Sequence, residues 1–291
     1  MALFRDDTDY THRQEGFARY KQLMSFYGFN WLRVNLLTTA GAMPLAAGVL
    51  LALLTSSLVV LLPAAILGGA VFGPFMAGMV DSIMRGLRDA PGNWWKNYKK
   101  AWKQNWKSSL APGAILGLFV GLFAFMAYIM MSARVSPTPG TIAMALVSLA
   151  LVIWFNTLYW PQLVLFSQSA FNRIRNAILF TIKHSVRVLV AVLIQLGWVA
   201  FIVLLAPWTV IVVPFLGFWF PMLLAQLRLY ADLNRDLNIE AQFIAVEGDP
   251  WAKDSFEALP EEDPAEPDPM NSGTRHWEAL LRDIDRNREG K

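Results

Sequence analysis

The sequence predicts an all-α integral membrane protein, a bundle of six transmembrane helices with both termini in the cytoplasm. Three observations predict this fold: six apolar stretches of membrane-spanning length, 55% hydrophobic residues against 16% charged ones, and Lys and Arg concentrated on one side of the stretches. We place the spans at residues 32–54, 58–84, 110–131, 141–164, 186–206 and 208–226, in a transmembrane domain of residues 1–230.

The positions of Lys and Arg orient the bundle. Of 25 such residues, 22 lie before the first span, after the sixth, or in the linkers that follow spans two and four, and Arg33 and Arg187 lie at the adjoining ends of spans one and five. Arg134 is the exception. Cytoplasmic segments of membrane proteins carry the excess of Lys and Arg. Both termini and both linkers are therefore predicted to be cytoplasmic.

The linker between spans two and three predicts an amphipathic helix at the inner membrane surface. Its aromatic residues recur at helical spacing, and lysines fill the rest of the segment. Aromatic rings favour the headgroup level and lysines favour the anionic inner leaflet, so we expect contact with lipid, or alternatively with a cytosolic partner. A nucleic-acid surface is disfavoured because the chain has no separate basic domain. The residues are Trp95, Tyr98, Lys99, Lys100, Trp102, Lys103, Trp106 and Lys107.

A second interfacial helix is predicted before span one, from Phe17 to Tyr27, and the linker before span five resembles the one before span three. At an offset of 76 residues, Ala101 aligns with Ala177 and Lys107 with Lys183. This short match suggests an internal repeat of span, interfacial helix and span.

Small residues at a spacing of four mark spans two and three. They leave a smooth groove in which two helix backbones approach closely, so we predict that these spans pack together rather than line a pore. The residues are Gly69, Gly73 and Ala77 in span two, and Gly113, Gly117 and Gly121 in span three.

Few ionisable residues occur in the spans, which argues against an ion-coupled carrier. Asp81 and Arg85 are four residues apart and are predicted to form an ion pair at a helix end. Uncharged amides are the other polar groups, and each either joins helices by hydrogen bonds or contributes to a polar cavity. They are Asn35, Asn156, Gln162 and Gln195.

The C-terminal part predicts an acidic linker and a short helix. Residues 231–270 are predicted to be largely disordered, because Glu247 to Pro269 contains nine acidic residues, one lysine and five prolines. Residues 271–291 predict an amphipathic helix for the membrane, the same chain or a partner. Its apolar stripe is Trp277, Leu280, Leu281 and Ile284.

No recognisable chemistry-bearing motif is present. The chain has no cysteine, its three histidines lie far apart in the sequence, and phosphate-binding, dinucleotide and nucleophile-elbow patterns are missing. We therefore expect no metal, no cofactor and no enzymatic activity.

Two blocks of sequence carry a family resemblance. One runs from Gly73-Pro74 through Arg85 and Arg88 to the aromatic and lysine residues of 98–107, and the other contains Tyr159-Trp160-Pro161, Phe166 and Asn176-Ala177. Together they resemble the YesL-like family of bacterial integral membrane proteins, a domain of unknown function. The resemblance implies a bacterial plasma membrane location and an association with carbohydrate uptake, and it brings no catalytic residues.

These observations favour an accessory or regulatory partner of a transport system, acting by association with a permease or sensor protein. The alternative is a transporter or channel for a neutral small solute, in which the four amides would line the path.

Overall fold

The computed structural model describes residues 16–90, 92–132 and 136–247, and in these ranges the regular structure is helical. The elements are α1 (Gly16–Leu54), α2 (Leu58–Leu87), α3 (Trp94–Ser132), α4 (Pro139–Leu165), α5 (Ala170–Lys183), α6 (Ser185–Leu204), a short 3₁₀ helix (Trp208–Ile211), α7 (Val213–Leu216), α8 (Trp219–Leu237) and α9 (Ile239–Glu247).

Five of these helices are long and apolar enough to cross a membrane: α1, α2, α3, α4 and α6. They indicate a multi-pass membrane protein. Their outward faces are rich in large apolar side chains, such as Leu50, Val59 and Met144, as expected for helices that face lipid.

Two predicted interfacial helices are not separate elements. The segment 17–27 is the beginning of α1, and the aromatic and lysine segment is the beginning of α3. Each helix has 39 residues, a length of about 58 Å at 1.5 Å per residue, whereas a hydrocarbon core is about 30 Å thick. Part of each helix therefore extends beyond the apolar layer. No glycine or proline lies between residues 94 and 110 to end the helix before the span.

The predicted sixth span, 208–226, is not one helix. The 3₁₀ helix, α7 and the first part of α8 share this stretch. Proline explains the interruptions, because Pro207 and Pro214 lack the N–H that a continuous helix needs. A sixth crossing of the membrane stays a prediction.

Residues 231–247 differ from the predicted disordered linker, because α8 continues to Leu237 and α9 follows it. Leu233 and Ile239 are buried in the main core, and this burial stabilises the helices. The rest of the acidic linker and the terminal helix lie outside the described residues.

The packing has two parts. Helices α1, α2 and α3 form one layer, with α2 in the middle. Helices α4 and α8 pack against this layer, and α6 packs on α4 and α8. The core contains Trp31, Trp160 and Trp219, all buried. Arg19 in α1 pairs with Asp89 after α2, and Arg88 stacks on Phe243 of α9. We call the end of the bundle where these residues lie the basic end.

The two linkers of the suggested repeat differ in structure. Ser108, which aligns with His184, is inside the continuous helix α3. At His184 the chain leaves helical geometry, with φ −123° and ψ 37°, and this residue separates α5 from α6. The repeat stays a prediction.

Candidate functional site: the basic end of the bundle

The aromatic residues of α3 are divided between the protein interior and its surface. Tyr98 is 4% exposed and packs where Gly78 of α2 leaves room for its ring. Trp102 contacts Phe75 of α2 edge to face, with ring centroids 6.0 Å apart. The structure thus gives both residues a packing role, because α3 lies directly against α2. Tyr98 is too deeply buried for the predicted surface contact, whereas Trp102 is half-buried.

The other aromatic residues of this segment are accessible, with Trp95 41% and Trp106 43% exposed. Lysines at positions i, i+3, i+7 and i+11 are exposed along the same helix, and Lys100 is half-buried. A continuous basic stripe results. It consists of Lys96, Lys99, Lys103 and Lys107.

Small residues form the contact between α2 and α3. A Cβ atom on Gly117 would lie 2.5 Å from Cα of Gly69, and one on Gly113 would lie 2.7 Å from Cα of Gly73. A Cβ on Gly121 would lie 2.8 Å from Cβ of Ala65, and Ala77 is buried in the core. These glycines bring the two backbones together.

Asn35 is fully buried and all of its amide hydrogen-bonding groups are occupied. Its Nδ2 donates to the carbonyl oxygens of Val213 (2.9 Å) and Pro214 (2.7 Å). Its Oδ1 accepts from the backbone N–H groups of Phe218 (3.0 Å) and Trp219 (3.1 Å). Asn35 therefore replaces the backbone bonds that the interrupted segment before α8 lacks.

The other three amides lie on α4 and α6 and do not meet Asn35. Asn156 donates to the Val152 carbonyl and accepts from the Trp160 indole (2.6 Å), whereas Gln195 donates to the hydroxyl of Thr157. Gln162 donates to the Leu158 carbonyl (3.0 Å), and its Oε1 is buried without a hydrogen-bond partner. Three of the four predicted amides are thus engaged by hydrogen bonds within the protein, and a polar cavity shared by all four stays a prediction.

Gln162 instead borders a half-open pocket of about 180 Å³ between α4, α5 and α8. Apolar side chains form most of its wall, and Asn176, Lys183 and Asp236 add polar groups.

An ion-pair cluster joins the connection between α5 and α6 to α8, and the sequence reading did not identify it. Asp232 pairs with Arg187 and with Arg235 (2.9 Å). Asp236 pairs with Lys183 (2.6 Å), and its Oδ2 lies 2.8 Å from Nε2 of His184. In the sequence, the cluster could have been inferred from Asp232 and Asp236, which lie one helical turn apart and so share one face of a helix.

The cluster determines the charge of Asp236. Burial would raise the pKa of this carboxyl group, but hydrogen bonds from Lys183 and His184 and their positive charge hold the pKa below its ordinary value. Asp236 therefore stays ionised and holds α8 against the α5–α6 connection.

Other predicted contacts have mixed outcomes. The ion pair between Asp81 and Arg85 is confirmed, with Nε and Oδ2 2.9 Å apart.

The stripe of Trp277, Leu280, Leu281 and Ile284 lies outside the described residues. Within the described part of the chain, no group of three or more His, Asp or Glu side chains could hold a metal ion.

Comparison with known families gives one match. Residues 47–127, which include the last two turns of α1, all of α2 and most of α3, match a family model described as "Protein of unknown function, DUF624". The matched segment contains the α2–α3 glycines and the basic stripe of α3. No curated protein and no solved structure matches the chain.

Proposed function

We propose that this protein acts by association, as an accessory or regulatory partner of a transport system in the bacterial plasma membrane, with both termini in the cytoplasm. Its partner would be a permease or sensor protein, and the sequence resemblance makes a carbohydrate permease the first one to test. The proposal includes no enzymatic activity and no cofactor.

The basic stripe of α3 carries the proposal. Sixteen residues of α3 precede its apolar span, a length of about 24 Å. Lys99 and Lys103 are exposed there, while Tyr98 and Trp102 anchor the segment to α2. A rigid helix with exposed cations suits an acidic protein surface or the anionic inner leaflet.

The amides support association over transport. A solute path needs polar groups that are free to bind, whereas Asn35, Asn156 and Gln195 are engaged within the protein. The pocket beside Gln162 is the observation that favours the alternative, a transporter or channel for a neutral small solute.

Affinity purification in a mild detergent tests the proposal. We expect a permease or sensor subunit to co-purify with the full chain, and its recovery to fall several-fold with Lys103→Glu. Lys21→Glu is the matched control, since Lys21 is also exposed but lies on α1. A chain truncated after Glu247 shows whether the acidic tail contributes. If no permease or sensor subunit co-purifies with either length of the chain, the proposal is refuted.

A further inference from the structure

Arg173 of α5 is a buried cation with few partners. The residue is 7% exposed, its Nε is enclosed without a hydrogen-bond partner, and its Nη1 donates to the Tyr159 hydroxyl over a long 3.4 Å. A guanidinium group has five N–H donors, and burying it without an anion costs several kcal/mol. Among the described residues, no acidic side chain is paired with Arg173.

The described acidic side chains do not supply a counter-charge for Arg173, because each has another partner. Asp81 pairs with Arg85, Asp89 with Arg19, Asp232 with Arg187 and Arg235, Asp236 with Lys183 and His184, and Glu240 with the Tyr230 hydroxyl.

Tyr159 adds a second donor at the site. Its oxygen accepts from Arg173, so its own O–H proton is available for an acceptor, and the structure describes none. Stacking on Phe155, with ring centroids 4.6 Å apart, fixes the phenol ring. Two donors from neighbouring helices, the Arg173 guanidinium and the Tyr159 hydroxyl, thus lie next to each other.

The surface of α5 indicates that Arg173 lies at the level of the membrane surface. Opposite the buried face of Arg173, Ala177 and Phe180, the helix exposes an apolar stripe at positions i, i+3, i+7 and i+11. At 14 residues the helix is about 21 Å long, too short to cross a membrane, so this stripe places it along the membrane surface. The stripe consists of Phe171, Ile174, Ile178 and Ile182. Lipid phosphates lie at this level.

We propose that Arg173 and Tyr159 bind a phosphate group at the membrane surface, contributed by an anionic lipid headgroup. A lipid phosphodiester and inorganic phosphate share the recognised chemistry, namely anionic oxygens that accept from a guanidinium and a phenol. The inference does not depend on the proposed association with a transport system.

Native mass spectrometry of the delipidated full chain, titrated with phosphatidylglycerol, tests the site. We expect Arg173→Gln to weaken lipid binding about tenfold or more, the loss typical of a charge-assisted contact. Arg175→Gln removes the same charge two residues away from an exposed position, and we expect less than about a twofold change there, as for an exposed surface charge.

A parallel titration with inorganic phosphate in a zwitterionic detergent distinguishes the two sources. If Arg173→Gln binds inorganic phosphate more weakly than Arg175→Gln does, but the two variants bind phosphatidylglycerol equally, the site binds phosphate from solution. Recognition of a phosphate group by Arg173 and Tyr159 is then still supported. If Arg173→Gln does not fold, Tyr159→Phe takes its place, with weaker binding again expected.

Two results overturn the proposal. In the first, the site variant and Arg175→Gln bind phosphatidylglycerol with the same affinity and also bind inorganic phosphate with the same affinity. In the second, truncation after Glu247 strengthens phosphatidylglycerol binding at Arg173, which would show that a carboxylate of the acidic tail occupies the site.

Discussion

Asn35 shows how one side chain can hold an interrupted helix inside an apolar bundle. Its amide bonds to two carbonyl oxygens and two N–H groups of residues 213–219, which a continuous helix would have paired by itself. A side chain used in this way has no remaining capacity for a solute. Its location in the first apolar span is thus explained by structure.

Replacement of Asn35 should therefore be costly. In Asn35→Ala the four backbone groups lose their partners, and we expect a loss of about 2–4 kcal/mol in the free energy of unfolding. Thermal unfolding in detergent would show a melting temperature lower by several degrees. Asn172→Ala, at an exposed position of α5, is the control and should change little. An equal melting temperature for both variants would contradict this role of Asn35.

Asp236 should make the stability of the protein depend on acid pH. Its pKa in the folded protein is below the ordinary value of 3.8, so its stabilising contribution is complete above about pH 4 and is lost as pH falls through the folded-state pKa. We expect Asp236→Asn to be less stable than the natural chain at pH 7, and the difference to shrink below pH 4. A difference that stays constant down to pH 2 would show that Asp236 is not stabilised by Lys183 and His184.

At the scale of elements, α2 and α3 are held by backbone contact. Because lipid is as apolar as a leucine side chain, helices in a membrane associate through close packing, and the glycines permit it. The spacing of four in each span was sufficient to predict the pair. The anchoring of Tyr98 and Trp102 on α2 was not predictable, because their apolar face suits either a membrane surface or a neighbouring helix.

Gly117 and Gly197 give a matched test of this contact. In Gly117→Ala the new methyl group would collide with the backbone at Gly69, and we expect a loss of about 1–3 kcal/mol. In Gly197→Ala the methyl group meets nothing within 4 Å, so this variant should be as stable as the natural chain or gain up to about 1 kcal/mol from helix propensity. Melting temperatures in detergent compare them, and similar losses in both would argue against the α2–α3 contact.

At the scale of the whole molecule, the charged contacts gather at one end. Arg19 meets Asp89, Arg88 meets Phe243, and Lys183 meets Asp236. The described chain therefore begins and ends at the basic end, and the segment from α6 to α8 returns to it through the 3₁₀ helix and α7. The positive-inside tendency predicts that this end faces the cytoplasm.

The absence of cysteine from the sequence makes this orientation simple to test. Ser136 and Ser167 are exposed residues that flank the two ends of α4. Treatment of intact bacterial cells with a membrane-impermeant maleimide should label Ser136→Cys, whereas Ser167→Cys should react only after lysis. The opposite pattern would place the basic end outside the cell.

The sequence by itself determined the helical membrane class, the spans that form α1, α2, α3, α4 and α6, the α2–α3 glycine contact and the Asp81–Arg85 pair. Each of these follows from local periodicity, hydrophobicity or spacing, which depend on neighbours along the chain. Tertiary structure alone decided the partners of Asn35, the cluster around Asp232 and Asp236, and the burial of Arg173 beside Tyr159. These depend on groups that are distant in sequence, and a pattern of residues does not specify which of them meet.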